Sequence, residues 1–280
     1  MAIQISADST CDLGEELIRK YHIAVTPLYV TMGDQTLRDG LEIQPGQMYD
    51  HVAAGGALCS TAAVNIDDYI RHFTALRKNA DAVIHLSLSS ELSSTYQNAC
   101  IAAQEVDGVF VVDSRQLSTG HGLLVLSAAE AAAKGGDAAA IADALRAEAE
   151  KICTSFVLEQ LEYMRKGGRC STLAVMGANL LQLKPSIRMA DGKLSVAKKY
   201  RGAMTKCVTD YVNDELGDCS GIRADRIFIT HSGVEDAVLN AAKQAVEGKN
   251  YFREILITQA GCTISSHCGP KTIGVLFEKQ

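Results

Sequence analysis

The chain has 280 residues, 47% hydrophobic and 21% charged, a length and composition that suit two domains with a sizeable core and no disordered tract. Its formal net charge of −6 argues against general nucleic-acid binding, which needs a basic face to neutralise phosphates. Nine cysteines without a Cys-x-x-Cys pair, an N-terminus unlike a secretory signal and no apolar run long enough for a membrane span point to a cytoplasmic protein with reduced thiols, whose membrane contact would be transient.

Along the chain, short β-branched runs alternate with stretches of helical period. "AIQIS", "IAVTPLYVT", "AVIHLSLS" and "VFVVDS" read as strands, and "DDYIRHFTALRKN" and "SSTYQNACIAAQEV" as helices, a βαβ pattern that predicts a mostly parallel sheet. Residues 118–151 predict two helices broken at "KGGD", where Gly135 and Gly136 end one and Asp137 caps the next. "SIRMADGKLSVAKKY" then predicts a hairpin turning at Asp191-Gly192, since both turn positions tolerate positive φ. Further strands are expected at "RIFITHS", "EILITQA" and "TIGVLFEK", with the helix "EDAVLNAAKQAVEG" between the first two. The expected fold is α/β in two domains. Residues 1–155 form an α/β domain with a mostly parallel sheet, and residues 156–280 an α+β domain with a mixed or antiparallel sheet.

Three segments place a hydroxyl-rich cluster between a strand and a helix: "QISADSTCDLGEEL", "HLSLSSELSSTYQNA" and "VVDSRQLSTGHGLL". At the carboxyl ends of parallel strands such clusters can gather an anionic head group; equally, their Ser and Asp can simply cap helices. Other chemistries lack residues. There is no Gly-x-Ser-x-Gly nucleophile elbow, "STGHGLL" lacks the third glycine of a dinucleotide site, and "CGPKT" lacks the first glycine of a phosphate loop. Cys262, His267 and Cys268 have no matching ligand pair, so no metal and no cofactor is expected. His267 reads either as a hydrogen-bonded core residue or as a ligand contact, with Ser266 and Gly269 leaving open space beside it. "SSHCGPKTIGVLF" is expected to be a closing strand led in by a turn that carries His267.

The ordered motifs "ADSTCDL", "SSELSSTYQNA", "DSRQLSTGHG", "LEYMRKGGRCS", "LKPSIRMADGKL", "KYRGAMTK" and "SHCGPKTIGVLF" together resemble the DegV family of bacterial fatty-acid-binding proteins along most of the chain. The resemblance implies one long-chain fatty acid enclosed between the two domains, its carboxylate held by Thr61 and Ser93 with His267 close by. Ser94, Ser118, Ser266 and Gly269 are secondary candidates. It further implies a carrier without catalysis of its own, which presents the carboxylate to a separate ATP-dependent fatty acid kinase that makes the acyl phosphate. Arg169 and Arg201 are candidates for docking that partner, Arg201 beside Lys198 and Lys199. Two departures from the family pattern are Ala62-Ala63-Val64 after Thr61, where a hydroxyl and a proline are usual, and Lys271 in place of a glycine. These could alter chain preference, move the head group or place a cation near it. Two alternatives stand beside the carrier: a serine esterase or acyltransferase using Ser93 or Ser118 with His267, and a carrier of another apolar carboxylic acid such as a retinoid or isoprenoid acid.

Overall fold

A computed structural model describes residues 2–174 and 183–280. Strand β1 (Ile3–Asp8) passes through a 3-10 turn (Ser9–Cys11) into α1 (Glu15–Lys20) and β2 (Ala24–Thr26). There follow β3 (Tyr29–Met32), β4 (Gln35–Arg38), α2 (Pro45–Ala53), β5 (Ser60–Ala62), α3 (Ile66–Arg77), β6 (Ala82–Ser87), α4 (Thr95–Gln104) and β7 (Val109–Asp113). The expected parallel sheet is present, in the order β2-β1-β6-β7. Its strand β6 is buried at every position, because helices cover both faces: Val83 packs with Tyr69 and Phe73 of α3, while Ile84 and Leu86 belong to the core on the other face. "IAVTPLYVT" is two strands rather than one. Pro27, which has no N–H to give a ladder, separates β2 in the parallel sheet from β3, which joins a small antiparallel sheet of order β4-β3-β5.

The chain continues with α5 (Ser118–Ala133) and α6 (Ala138–Ala149), whose break falls at "KGGD"; the Asp137 carboxylate accepts the Ala140 N–H at 2.9 Å. Then come β8 (Ile152–Val157), α7 (Glu162–Gly167), α8 (Ser171–Ala174), β9 (Leu183–Ala190), β10 (Lys193–Arg201), α9 (Met204–Leu216), β11 (Ile222–His231), α10 (Asp236–Glu247), β12 (Glu254–Gln259), α11 (Cys262–Cys268) and β13 (Ile273–Lys279). They form a sheet of order β10-β9-β8-β13-β11-β12, antiparallel except for the β11/β12 pair. The hairpin turns at Asp191 and Gly192, with φ of 51° and 75°.

One expectation needs correction here. A boundary between residues 155 and 156 would cut β8, whose six residues all pair within the second sheet; the chain passes between the sheets before Ile152. The C-terminal strand is present as expected: β13 lies in the middle of its sheet, flanked by β8 and β11, and "IGVLF" is buried at every position, as a continuous apolar run allows.

Helix α5 joins the halves. It is buried almost all round from Ser118 to Leu126, and one core contains Leu124 and Leu126 of α5, Ile5 and Ile84 of the first sheet, and Phe228 and Leu276 of the second.

Candidate functional site

The hydroxyl clusters do little to cap the helices that follow them: only Ser93, which accepts the Thr95 N–H at 3.2 Å, satisfies a donor in the first turn of one. Ser94, at the N-cap of α4, makes no side-chain cap bond, and the N-cap of α5 is Leu117. Instead they tie the strand ends together. Asp8, fully buried at the end of β1, accepts the Ser87 hydroxyl at 2.8 Å, the Leu88 N–H at 2.9 Å and the Tyr69 hydroxyl at 2.5 Å. Burial pushes its pKa up, but the hydrogen bond and charge of His85, with smaller contributions from His121 and Tyr69, outweigh this and keep it below the ordinary carboxylate value. The Ser89 hydroxyl reaches across to the Gly192 carbonyl at 2.8 Å, linking the first sheet to the β9/β10 hairpin.

Next to these strand ends lies a cavity walled by both halves. Leu28, Leu88, Leu117, Phe156, Leu194 and Leu276 supply much of its apolar wall. The cavity volume is about 90 Å³, and its wall is mostly apolar. The wall residues that reach solvent, among them Thr61, Leu92, Ser93, Arg169 and His267, mark its mouth.

Each mouth residue is set by local structure. Thr61 is the middle residue of β5, pairing with Val30, and strand alternation turns it inward between the exposed Ser60 and Ala62. Ser93 sits before α4, its hydroxyl 2.8 Å from the Thr95 hydroxyl while accepting the Thr95 N–H at 3.2 Å. Arg169 follows α7 and donates to the carbonyls of Gly167 at 2.8 Å and Leu92 at 3.4 Å, with no acidic partner among the described residues.

His267 is on a helix, not in a turn. The sequence "CTISSHC" offers little intrinsic helix propensity, so α11 depends on partners from far along the chain. Asp39 accepts the N–H groups of Cys262 at 2.8 Å and Thr263 at 3.1 Å, and the Thr263 hydroxyl at 2.6 Å; Asp12 accepts the Gly261 N–H at 2.9 Å and the Ser118 hydroxyl at 2.6 Å. These two carboxyl groups satisfy donors that a short helix leaves open at its start. Burial, against which those hydrogen bonds work, pushes the Asp12 carboxyl up to about 8, and nearby Asp39 adds to the rise. At the other end of α11, His267 Nε2 lies 2.7 Å from the Thr61 hydroxyl, while its Nδ1 is buried without a partner. Burial lowers its pKa to about 4, and the Arg169 charge adds to the fall, so the ring is neutral at pH 7.

The space beside His267 comes from Gly167. A Cβ there would lie 2.5 Å from His267 Nδ1. Gly269 leaves no opening, because the Tyr163 ring packs 2.7 Å from where its Cβ would be, and at a φ of 75° the position suits glycine. Ser266 is buried, donates to the Cys262 carbonyl at 2.8 Å, and is not in the cavity wall; the exposed Ser94 is likewise outside it. Ser118 lines the wall but its hydroxyl is committed to Asp12. Arg201 is exposed and away from the cavity, and Lys198 pairs with Asp214 at 2.6 Å. Lys271 puts no cation near the mouth: it reaches Glu235 at 3.3 Å and Glu159 at 3.9 Å.

Neither Ser93 nor Ser118 is hydrogen-bonded to His267, whose Nε2 is engaged by Thr61. A Ser-His-Asp chain does occur at Ser6, His85 and Asp8, with 2.9 Å from Ser6 Oγ to His85 Nδ1 and 3.3 Å from His85 Nε2 to Asp8. All three are completely buried inside the parallel sheet, where no substrate reaches them. Among the described residues no group of three or more His, Cys, Asp or Glu side chains could hold a metal, and the nine cysteines are free.

A family model described as "Uncharacterised protein, DegV family" matches residues 2–280. A DegV domain-containing protein of Caldanaerobacter subterraneus is 32% identical over 283 residues, covering 99% of each chain, and one of Deinococcus radiodurans is 30% identical over 282 residues, again covering 99% of each. Among solved structures, a DegV family protein of Thermus thermophilus, described as fatty acid binding, superposes with a TM-score of 0.92 at 32% identity over the whole of both chains. A Thermotoga maritima protein described as revealing fatty acid binding function does so with a TM-score of 0.85 at 26% identity, also over both whole chains.

Proposed function

The chain belongs to the DegV family, and from that premise we propose that it binds one long-chain fatty acid in the cavity between its two halves, with the carboxylate at the Thr61, Ser93 and His267 mouth. The observation that carries this reading is the neutral Thr61–His267 pair, both half-buried, in the wall of a largely apolar cavity. With Nε2–H donating to Thr61, the threonine hydroxyl is free to donate to a carboxylate oxygen, and Ser93 supplies a second short donor. Neutral donors leave no buried charge unpaired when the cavity is empty. Arg169 adds a cation at the solvent end. An acyl chain gains about 0.8 kcal/mol per buried methylene, so the cavity provides most of the affinity and the hydroxyls fix direction.

The finer role we propose is that of a cytoplasmic carrier without catalysis of its own, presenting the carboxylate to a separate ATP-dependent kinase that forms the acyl phosphate. Support comes from the exposed mouth and from Arg169, a cation placed where the carboxylate would be offered. Arg201 lies apart from that mouth, which favours Arg169 as the docking residue.

Binding of a long-chain fatty acid to delipidated protein, followed by isothermal titration calorimetry, tests the reading. The Thr61→Val, Ser93→Ala double variant should bind about a hundredfold more weakly than wild type, two lost hydrogen bonds to a charged group at roughly 1.5 kcal/mol each. Undiminished binding by the double variant would remove these residues from the head-group site.

A further inference from the structure

Helix α11 carries His267 but supplies no acceptor for its own start. Its N-cap is Gly261, which has no side chain to take the first N–H groups. The acceptor is the buried Asp39, 223 residues before Cys262. Its carboxylate receives four hydrogen bonds, from the N–H groups of Cys262 at 2.8 Å and Thr263 at 3.1 Å and from the hydroxyls of Thr263 at 2.6 Å and Ser9 at 3.0 Å. Glycine at the N-cap permits this approach: a Cβ on Gly261 would lie 3.4 Å from Asp39 Oδ1 and 3.1 Å from Asp12 Oδ1.

Asp39 and Thr61 are held by one small sheet. Arg38 of β4 pairs with Tyr29 of β3, and Tyr29 pairs with Ala62 of β5, so Asp39 and Thr61 each adjoin one end of a single row across the three strands. Two inter-strand steps span about 10 Å, and the five steps from Cys262 to His267 rise about 7.5 Å along a helix. Helix α11 therefore bridges the row, tied at its first turn to Asp39 and one turn later to Thr61, whose hydroxyl is 2.7 Å from His267 Nε2. Thr263 and His267, four residues apart, share a face of the helix, and both line the cavity. His267 cannot slide past Thr61 without breaking the bonds to Asp39.

We propose that Asp39 is a positioning residue for the fatty-acid carboxylate: by anchoring α11 to the sheet that carries Thr61, it sets the Thr61–His267 contact and with it the preference of the mouth for a carboxylate over an uncharged head group. The inference rests on the fatty-acid reading and deepens it. Asp39 is outside the cavity wall, so its effect passes through α11. Loosening that anchor costs head-group recognition and spares the apolar wall, since Leu88, Leu117, Leu194 and Leu276 come from other elements.

The experiment measures the affinity of delipidated full-length protein for myristic acid and for tetradecan-1-ol, the same chain length without the charge, in wild type, Asp39→Asn, Thr263→Val and Thr263→Ser. Asn keeps the shape of Asp39 but turns a donor toward groups that are themselves donors. Asp39→Asn should bind myristic acid about tenfold more weakly than wild type, the loss of one well-placed hydrogen-bonding pair, with no change for tetradecan-1-ol. Nitrogen-15 NMR of the imidazoles, with His267 assigned from a His267→Gln variant, should show its Nε2 resonance displaced in Asp39→Asn, which a loss of stability alone does not produce. Thr263→Val keeps the volume of the wall, removes one bond to Asp39 and should weaken myristic acid several-fold, and Thr263→Ser, which restores the hydroxyl, should recover most of that loss; this pair decides the matter if Asp39→Asn does not fold. Equal losses for acid and alcohol overturn the proposal, as does wild-type affinity for myristic acid in Asp39→Asn or, in its place, Thr263→Val. Wild-type protein that binds neither ligand would overturn it differently, by removing the fatty-acid reading beneath it.

Discussion

At the scale of single residues, the imidazole of His267 is placed as much by what is missing next to it as by what it bonds. Gly167 contributes no side chain, and the ring fills that space with Nε2 directed at Thr61. Gly167→Ala should therefore push the ring away from Thr61 while leaving the fold intact, since the change lies at the partly exposed end of a short helix. Fatty-acid affinity should fall about tenfold, the loss of one well-placed hydrogen-bonding pair, as read by calorimetry. Unchanged affinity in a folded Gly167→Ala protein would mean that the Thr61–His267 pair does not set the head group. Lys271 is the contrasting residue. It takes a φ of 60°, a backbone conformation that suits glycine, and its ammonium is held by two carboxylates, those of Glu235 and Glu159.

At the scale of elements, α11 is governed by two carboxyl groups that act at its first turn. Asp12 is buried, its carboxyl pushed up to about 8 from an unfolded value near 3.8. A raised acid pKa means that the folded protein holds a proton the unfolded chain releases, so stability falls as pH rises from about 4 to about 8. Between pH 6 and pH 8.5 the wild-type melting temperature should drop, by the equivalent of up to about 3 kcal/mol, and Asp12→Asn should abolish most of that slope. Equal slopes for the two proteins would show that Asp12 does not titrate there. This helix also marks what the sequence leaves hidden. The Asp191-Gly192 hairpin and the break capped by Asp137 are legible because turn and cap chemistry is local. Helix α11 is not, since Asp12 is 249 residues away from the Gly261 N–H it accepts. The same reason hides Gly167, whose role exists only once α7 and α11 are packed. Thr61, Ser93 and His267 were singled out by family motifs, not by periodicity; folding is what brings them to one cavity. The β4-β3-β5 sheet escapes because strands of three or four residues are too short to show a period.

At the scale of the whole molecule, the two sheets share a core, and that decides how the protein should unfold. Two domains joined by a polar, modest interface would melt separately. Here α5 is buried between them, and Leu124, with no exposed surface, sits in one cluster with Ile5 and Ile84 from the parallel sheet and Phe228 and Leu276 from the mixed sheet. Neither sheet can shed α5 without exposing apolar side chains of the other. Differential scanning calorimetry of the empty protein should accordingly give a single transition in which calorimetric and van't Hoff enthalpies agree. Leu124→Ala removes buried methyl groups from that common core and should cost about 2–5 kcal/mol, lowering the whole transition by roughly 5–10 °C. If the halves were independent, two transitions would appear and the substitution would leave one of them in place. A cavity walled by both halves needs this coupling: Leu88 and Leu117 on one side and Phe156 and Leu276 on the other enclose one space only while α5 holds the two sheets together.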